Sequence, residues 1–334
     1  MQKNIPTTMQ AVLLPAPKAE LITGEVPVPQ PGPGQVLIRM AASPINPSDL
    51  SFLRGNYGVK KEFPVVPGFE GSGVVVAAGS GLLPRLWLGK RVACASDNRL
   101  NGTWAEYMVT SAQRCVPLMG SVSDEQGSML LANPLTALAF FDRIKKEAIK
   151  GVVVNAAASA LGRMIIRMGQ KQGIAVVAVV RKEQQIGELS KMGATVCLNS
   201  EAPDFAEQLK THTHQHQATL FLDAVAGPVS QTILQAMPKG SWAWVYGSLS
   251  LSDTPISSGT LIFEQKVIRG FWLSQVLAEK SFWKAFMDTR RVQRLLEGTL
   301  DTHIQGRYGF DDPNTAVAQY KENMSGGKVL FIPD

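Results

Sequence analysis

From about residue 134 onward, apolar runs of four to seven residues alternate with stretches whose apolar positions recur at helical spacing. The runs VVVN (152–155), IAVVAVV (174–180), TVCL (195–198), TLFLD (219–223), WAWVY (242–246) and VIRGF (267–271) have almost no polar alternation. Such continuity predicts strands buried on both faces of a parallel sheet. Between the first two, residues 162–172 place Met164, Ile165 and Met168 on one side of a helix and Arg163, Arg167 and Lys171 on another. Residues 183–192 followed by Gly193, and 229–237 followed by Pro238, predict two further helices with stop signals. Strand and helix in strict alternation is the pattern of a doubly wound α/β sheet.

The first 130 or so residues read differently. Pro27, Pro29, Pro31, Pro33 and Gly34 precede the alternating run QVLIR (35–39), and short β-like runs follow at 73–77 and 90–93. These predict an irregular β domain. Beyond Leu273 the chain reads as helical, with Asp312 as an N-cap and Pro313 at the first helical position. A short strand at 328–332 ends it.

Length and composition narrow this picture without redirecting it. At roughly 150 residues per domain, 334 residues make two domains, and 45% hydrophobic against 18% charged residues suits a well-cored globular chain. The net charge of +6 accommodates an anionic ligand. The basic residues are scattered, however, and Arg290, Arg291 and Arg294 read as one helix face, so no nucleic-acid track is expected. Cys94, Cys115 and Cys197 lie in unrelated segments and predict neither a disulfide framework nor a cysteine zinc site. Asn155, Arg163 and Arg167 interrupt the longest apolar stretch, so no membrane span is expected. The opening MQKNIPTT has no apolar signal core, which points to the cytoplasm.

Candidate chemistry gathers first at NAAASALG (155–162), directly after the first strand of the α/β region. In that position a turn and a helix N-terminus present backbone amides to a pyrophosphate. Glycines normally let the backbone approach, yet only Gly162 is present, behind Ala158, Ser159 and Ala160. The motif by itself fits an anion cradle or an ordinary structural turn. The second strand is followed at once by Arg181 and Lys182. Arginine here accommodates the 2'-phosphate of NADP, where an acidic residue would hold the ribose hydroxyl of NAD.

More specific are SPINPSDLSFLRGNYG (43–58), PGFEGSG (67–73), GTWAEY (102–107), NPLTA (133–137), VYGS (245–248) and LIFEQKVIRGFWLSQ (261–275). In this order, over nearly the whole chain, they resemble the zinc-free medium-chain dehydrogenase/reductases, most of all mitochondrial-type trans-2-enoyl thioester reductases, with quinone oxidoreductases as the wider neighbourhood. The resemblance implies an α/β protein with a GroES-like β domain (1–133) and a Rossmann domain with a doubly wound parallel sheet (134–275). A carboxy-terminal segment (276–334) would return to the first domain. It also implies a homodimer and a small-molecule substrate, either an enoyl thioester or a quinone.

The same resemblance makes Tyr57, the tyrosine of GNYG, the proton donor. It sets Asn133 near the nicotinamide, Ala158, Ser159, Ala160, Leu161 and Gly162 at the pyrophosphate of NADPH, and Arg181 and Lys182 at the adenosine phosphate. Tyr246, Gly247, Ser248 and Leu249 with Phe271, Trp272, Leu273 and Ser274 would line the cofactor cleft, and Lys328 would close it. Ala158 and Ala160 depart from the family's asparagine and glycine, and a left-handed Ala160 would be strained by about 1–2 kcal/mol. Where the zinc-dependent relatives have a cysteine and a histidine, this chain has Ser43 and Phe69, leaving Glu70 alone, so no zinc is expected. His212, His214 and His216 read as a solvated helix end or loop. Trp104, Phe271 and Trp272 would line an apolar pocket or belong to the core. Three functions remain open from sequence: an NADPH-dependent enoyl reductase, an NADPH:quinone reductase, and a non-catalytic nucleotide-binding protein.

Overall fold

The structure is a computed structural model and describes residues 5–97 and 100–333. The first four residues of the polar opening lie outside the described residues. The chain forms two compact units. One comprises the residues up to Pro134, Phe282–Glu297 and those from Asp301 on; the other comprises Leu135–Ser281 and Gly298–Leu300.

The first unit opens with an antiparallel pair, β1 (Thr8–Leu13) and β2 (Ile22–Pro27). Its main sheet is organised on β3 (Gln35–Pro44), whose burial lets it carry neighbours along both edges. It pairs antiparallel with β4 (Glu70–Ala78), which pairs with β5 (Arg91–Ala95). On its other edge β3 pairs with β6 (Tyr107–Ser111), while β7 (Cys115–Pro117) joins β5. Trp104, wholly buried, packs on Phe331 with ring centroids 4.9 Å apart and belongs to this unit's core.

The second unit holds β8 (Gly151–Val154), β9 (Ala175–Val180), β10 (Val196–Asn199), β11 (Ala218–Asp223), β12 (Trp242–Val245) and β13 (Val267–Gly270). All pairings are parallel and the order is β10-β9-β8-β11-β12-β13, a doubly wound sheet. Each predicted strand is present within a residue or so of its predicted ends. The helix Ala160–Gln172 follows β8, with Met164, Ile165 and Met168 buried and Gly173 closing it at φ 68°. The histidine stretch lies at the end of the helix Phe205–Gln215, with the His212 and His216 rings stacked at 6.2 Å.

After the helix Phe282–Leu295 the chain adds β14 (Ile304–Tyr308) and β15 (Lys328–Phe331) to the first unit's sheet, giving the path β14-β15-β3-β4-β5-β7. Between these two strands the helix Pro313–Glu322 is capped by Asp312, whose carboxylate accepts the Thr315 N–H at 3.1 Å. Among the described residues no helix is long and apolar enough to cross a membrane.

Candidate active site

In the second unit the strand order reverses between β8 and β11, and the carboxyl ends of these strands are where a doubly wound sheet leaves a binding crevice. Two buried side chains tie those ends together. Asn155 Nδ2 donates to Asp223 Oδ1 at 2.7 Å, and Asn155 Oδ1 accepts the Ala224 N–H at 2.7 Å. Asp223 Oδ1 also accepts the amides of Val225 and Ala226, each at 2.9 Å. The crevice floor is thereby fixed by side chains from both strands.

The turn after β8 takes its tight bend at Ala156, which has φ 46°, while Ala160 is the first residue of the helix Ala160–Gln172. The strain anticipated at Ala160 therefore falls at Ala156, which carries it outside the first helical turn. Ser159 is the N-cap, its hydroxyl accepting the Gly162 N–H at 3.2 Å. Ala160 and Leu161 are left with first-turn amides that have no intrahelical acceptor, the groups that bind anions at helix N-termini. Gly162 serves the packing of the turn instead. A Cβ there would lie 2.4 Å from the Ala157 carbonyl oxygen, so only glycine lets the turn fold back onto the helix. These residues fit a pyrophosphate.

Beyond β9, Arg181 and Lys182 are exposed. The Tyr246 amide donates to Asp223 O at 2.9 Å and that of Leu249 to Ala224 O at 3.1 Å, so residues 246–249 lie against the end of β11. Ser248 and Leu249 are exposed and Gly247 is half-buried. The Tyr246 ring packs 5.2 Å from Phe140, which also meets Phe271 at 4.5 Å. Its hydroxyl is buried without a described partner, and burial pushes that phenol well above the usual tyrosine range. Next to Phe271, Trp272 and Ser274 are exposed and Leu273 is half-buried, at the start of the helix Leu273–Ala278.

In the first unit Tyr57 is half-buried in the turn following the helix Pro47–Leu53. Its ring sits 4.8 Å from that of Phe69, which in turn meets Phe52 edge-on at 5.6 Å. Asn133, half-buried, begins the helix Asn133–Lys146. Behind these lies a charged network that sequence reasoning did not find. Glu70 Oε1 accepts Asn46 Nδ2 at 3.0 Å, and Oε2 accepts the amides of Leu131 and Ala132 at 3.0 and 2.8 Å. Asp49 Oδ2 accepts the Asn46 amide at 2.8 Å. Lys328, 1% exposed, stands inside this unit and not on its surface. Its Nζ donates to Ile45 O at 3.1 Å and also to Asn46 Oδ1.

Burial governs the protonation of this cluster. It raises Asp49 to about 7, against the pull of the Asn46 amide and Lys328, and raises Glu70 as well. It lowers Lys328 to about 8, opposed by the two carboxylates. The only sequence signal was the N-x-x-D spacing of Asn46 and Asp49, a helix-start pattern.

Ser43, Phe69 and Glu70 do not fit a metal here. The Ser43 hydroxyl donates to Thr103 O at 2.7 Å, the Phe69 ring is part of the aromatic cluster, and both Glu70 oxygens are engaged. Among the described residues no group of three or more His, Cys, Asp or Glu side chains is placed to hold an ion.

Residues 32–120 match the alcohol dehydrogenase GroES-like domain family and residues 160–289 the zinc-binding dehydrogenase family. The human mitochondrial enoyl-[acyl-carrier-protein] reductase is 32% identical over 250 residues, which is 72% of this chain but only 65% of that protein's length. A Caenorhabditis elegans protein of the same name is 30% identical over 322 residues, covering 94% of this chain and 91% of the relative. The crystal structure of a Mesorhizobium loti protein described as an NADPH:quinone reductase superposes with a TM-score of 0.90 at 36% identity, covering 99% of this chain and 100% of that one.

Proposed function

Since this chain belongs to the medium-chain dehydrogenase/reductase superfamily, grouping with its enoyl thioester and quinone reductases, we propose that it is an NADPH-dependent reductase of an activated carbon–carbon double bond, most concretely that of a 2-enoyl thioester. The observation that carries the cofactor choice is the pair Arg181 and Lys182, exposed at the end of β9 beside the strand whose helix offers free first-turn amides. When bound, NADPH supplies a hydride to the β-carbon of the enoyl group. The electron pair of the double bond moves toward the α-carbon and the thioester oxygen, and a proton must reach the α-carbon.

Tyr57 is the proposed source of that proton. Phe69 packs against its ring at 4.8 Å. Such a donor contributes about 10²–10⁴ in rate. Ala160, Leu161 and the Ser159-capped turn hold the pyrophosphate, and Asn133 orients the nicotinamide amide. Zinc has no part in this scheme.

An NADPH:quinone reductase is the second reading, favoured by the full-length match to the Mesorhizobium loti protein. In that case Tyr57 would be dispensable. The edge strand β13, with Arg269 and Gly270 exposed, is the proposed contact of a homodimer.

Equilibrium binding of NADPH and NADH, followed by nicotinamide fluorescence, tests the cofactor assignment. Tight NADPH binding with NADH weaker by about 10- to 100-fold supports it. Equal affinities would remove the role of Arg181, and binding of neither nucleotide would favour a non-catalytic protein.

A further inference from the structure

We propose that Arg163 is a positioning residue for the pyrophosphate turn, stapling it to the helix that follows the Arg181–Lys182 segment; this rests on the reading of residues 158–162 as a nucleotide site. Arg163 Nε donates to the Ala158 carbonyl oxygen at 2.9 Å. The other two guanidinium nitrogens form a fork on Glu188, one bond at 2.9 Å to Oε2 and a second to Oε1. Glu188 lies on the helix Ile186–Lys191. One side chain thus joins the turn after β8 to the helix after β9.

Two physical features single this residue out. A cation in the first turn of a helix opposes the macrodipole, so Arg163 is poorly placed for helix stability and well placed beside an anion. Its ion pair does not repair that cost, because Glu188 is 57% exposed and exposed pairs add little. What the fork does is fix the plane of the guanidinium, and with it the direction of Nε toward Ala158.

That direction matters because the turn lacks the glycines that would let it adjust. Its carbonyl oxygens must be kept from a pyrophosphate they would repel. Ala156 O accepts the Ser159 amide, and Ala158 O accepts Arg163 Nε. The Ala157 amide is meanwhile tied to Val179 O at 3.2 Å, anchoring the turn to β9. With these groups engaged, the first-turn amides of Ala160 and Leu161 keep no intrahelical acceptor and stay available to an anion. Arg163 therefore does with a side chain what added glycines do by conformational freedom.

The test compares wild type with Arg163→Gln and Glu188→Gln, measuring dissociation constants for both NADPH and NADH, turnover at saturating NADPH, and melting temperature. Arg163→Gln is expected to weaken both nucleotides in parallel, about tenfold, since both carry the pyrophosphate, with turnover at saturation unchanged. Glu188→Gln retains the Nε bond and is expected to weaken both about threefold. Loss confined to NADPH would overturn the proposal by making Arg163 a ligand of the 2'-phosphate. Unchanged affinities with only a lower melting temperature would overturn it by making the staple purely structural. If wild type binds neither nucleotide, the cofactor reading fails and takes this proposal with it; variant affinities equal to those of a binding-competent wild type are a failure of the staple alone.

Discussion

Two glycines in neighbouring helices of the second unit should respond to the same substitution in opposite ways. A Cβ on Gly162 would stand 2.4 Å from the Ala157 carbonyl oxygen and 2.7 Å from both its carbonyl carbon and its Cα. Ordinary contact begins near 3.5 Å, so Gly162→Ala must push the turn from the helix by about 1 Å. The obstacles are backbone atoms, which puts the cost at the upper end of overpacking, about 3 kcal/mol. The intrinsic gain of alanine in a helix returns about 1 kcal/mol. The net loss of about 2 kcal/mol corresponds to a melting temperature lower by roughly 4–8 °C. The Ala160 and Leu161 amides move with the helix, so NADPH affinity should fall about tenfold or more.

Gly187, in the helix Ile186–Lys191, has nothing within 4 Å of its would-be Cβ. Gly187→Ala should stabilise by about 0.5–1 kcal/mol and leave NADPH binding unchanged. Thermal melts and nucleotide titrations of the two variants side by side make the assay. A Gly162→Ala protein with wild-type melting temperature and affinity would refute the claim that the turn and helix are in backbone contact.

Other consequences can be checked independently. Arg181→Ser should remove the preference for NADPH, worth about 1.5–3 kcal/mol for a charge-assisted bond, with NADH affinity unchanged; titrations that leave the ratio intact would exclude Arg181 from the phosphate site. Glu70→Gln replaces one acceptor oxygen by a donor, so it must lose either the Asn46 bond or those of Leu131 and Ala132. A loss of about 1–3 kcal/mol is expected, read from denaturant midpoints. Asp49, raised by burial to about 7 from 3.8, keeps a proton in the folded state that the unfolded chain has already released between these values. Its contribution to stability therefore declines as pH rises through that window. Asp49→Asn should flatten this decline, and an unaltered pH profile in the variant would contradict the assignment.

The two units were not equally legible. Strands β8, β9 and β11 carry near-continuous apolar runs because both faces of the central strands of a parallel sheet are buried, and the edge strand β13 was legible by its place in the alternation of strand and helix, with Arg269 and Gly270 exposed. In the first unit β3, β4 and β5 declared themselves, whereas β2 is largely exposed and β7 has three residues, too few for a period. The bend after β8 was legible in place but not in detail: Ala156, not Ala160, takes the positive φ. The cluster of Asn46, Asp49, Glu70 and Lys328 was opaque, since it assembles residues up to 282 positions apart and its character comes from burial. The Arg163 fork was hidden for a related reason. Its spacing with Arg167 and Lys171 reads as an ordinary solvated face, and only the fold brings Glu188 and Ala158 to it.

The most direct test of the account is NADPH oxidation by wild type and Tyr57→Phe with a saturating short 2-enoyl coenzyme A thioester, set beside a quinone at equal NADPH. The account predicts faster turnover of the thioester by wild type and its loss by about 10²-fold or more in the variant, with NADPH affinity retained. Full thioester turnover by Tyr57→Phe, or reduction of the quinone alone by both proteins, would contradict it.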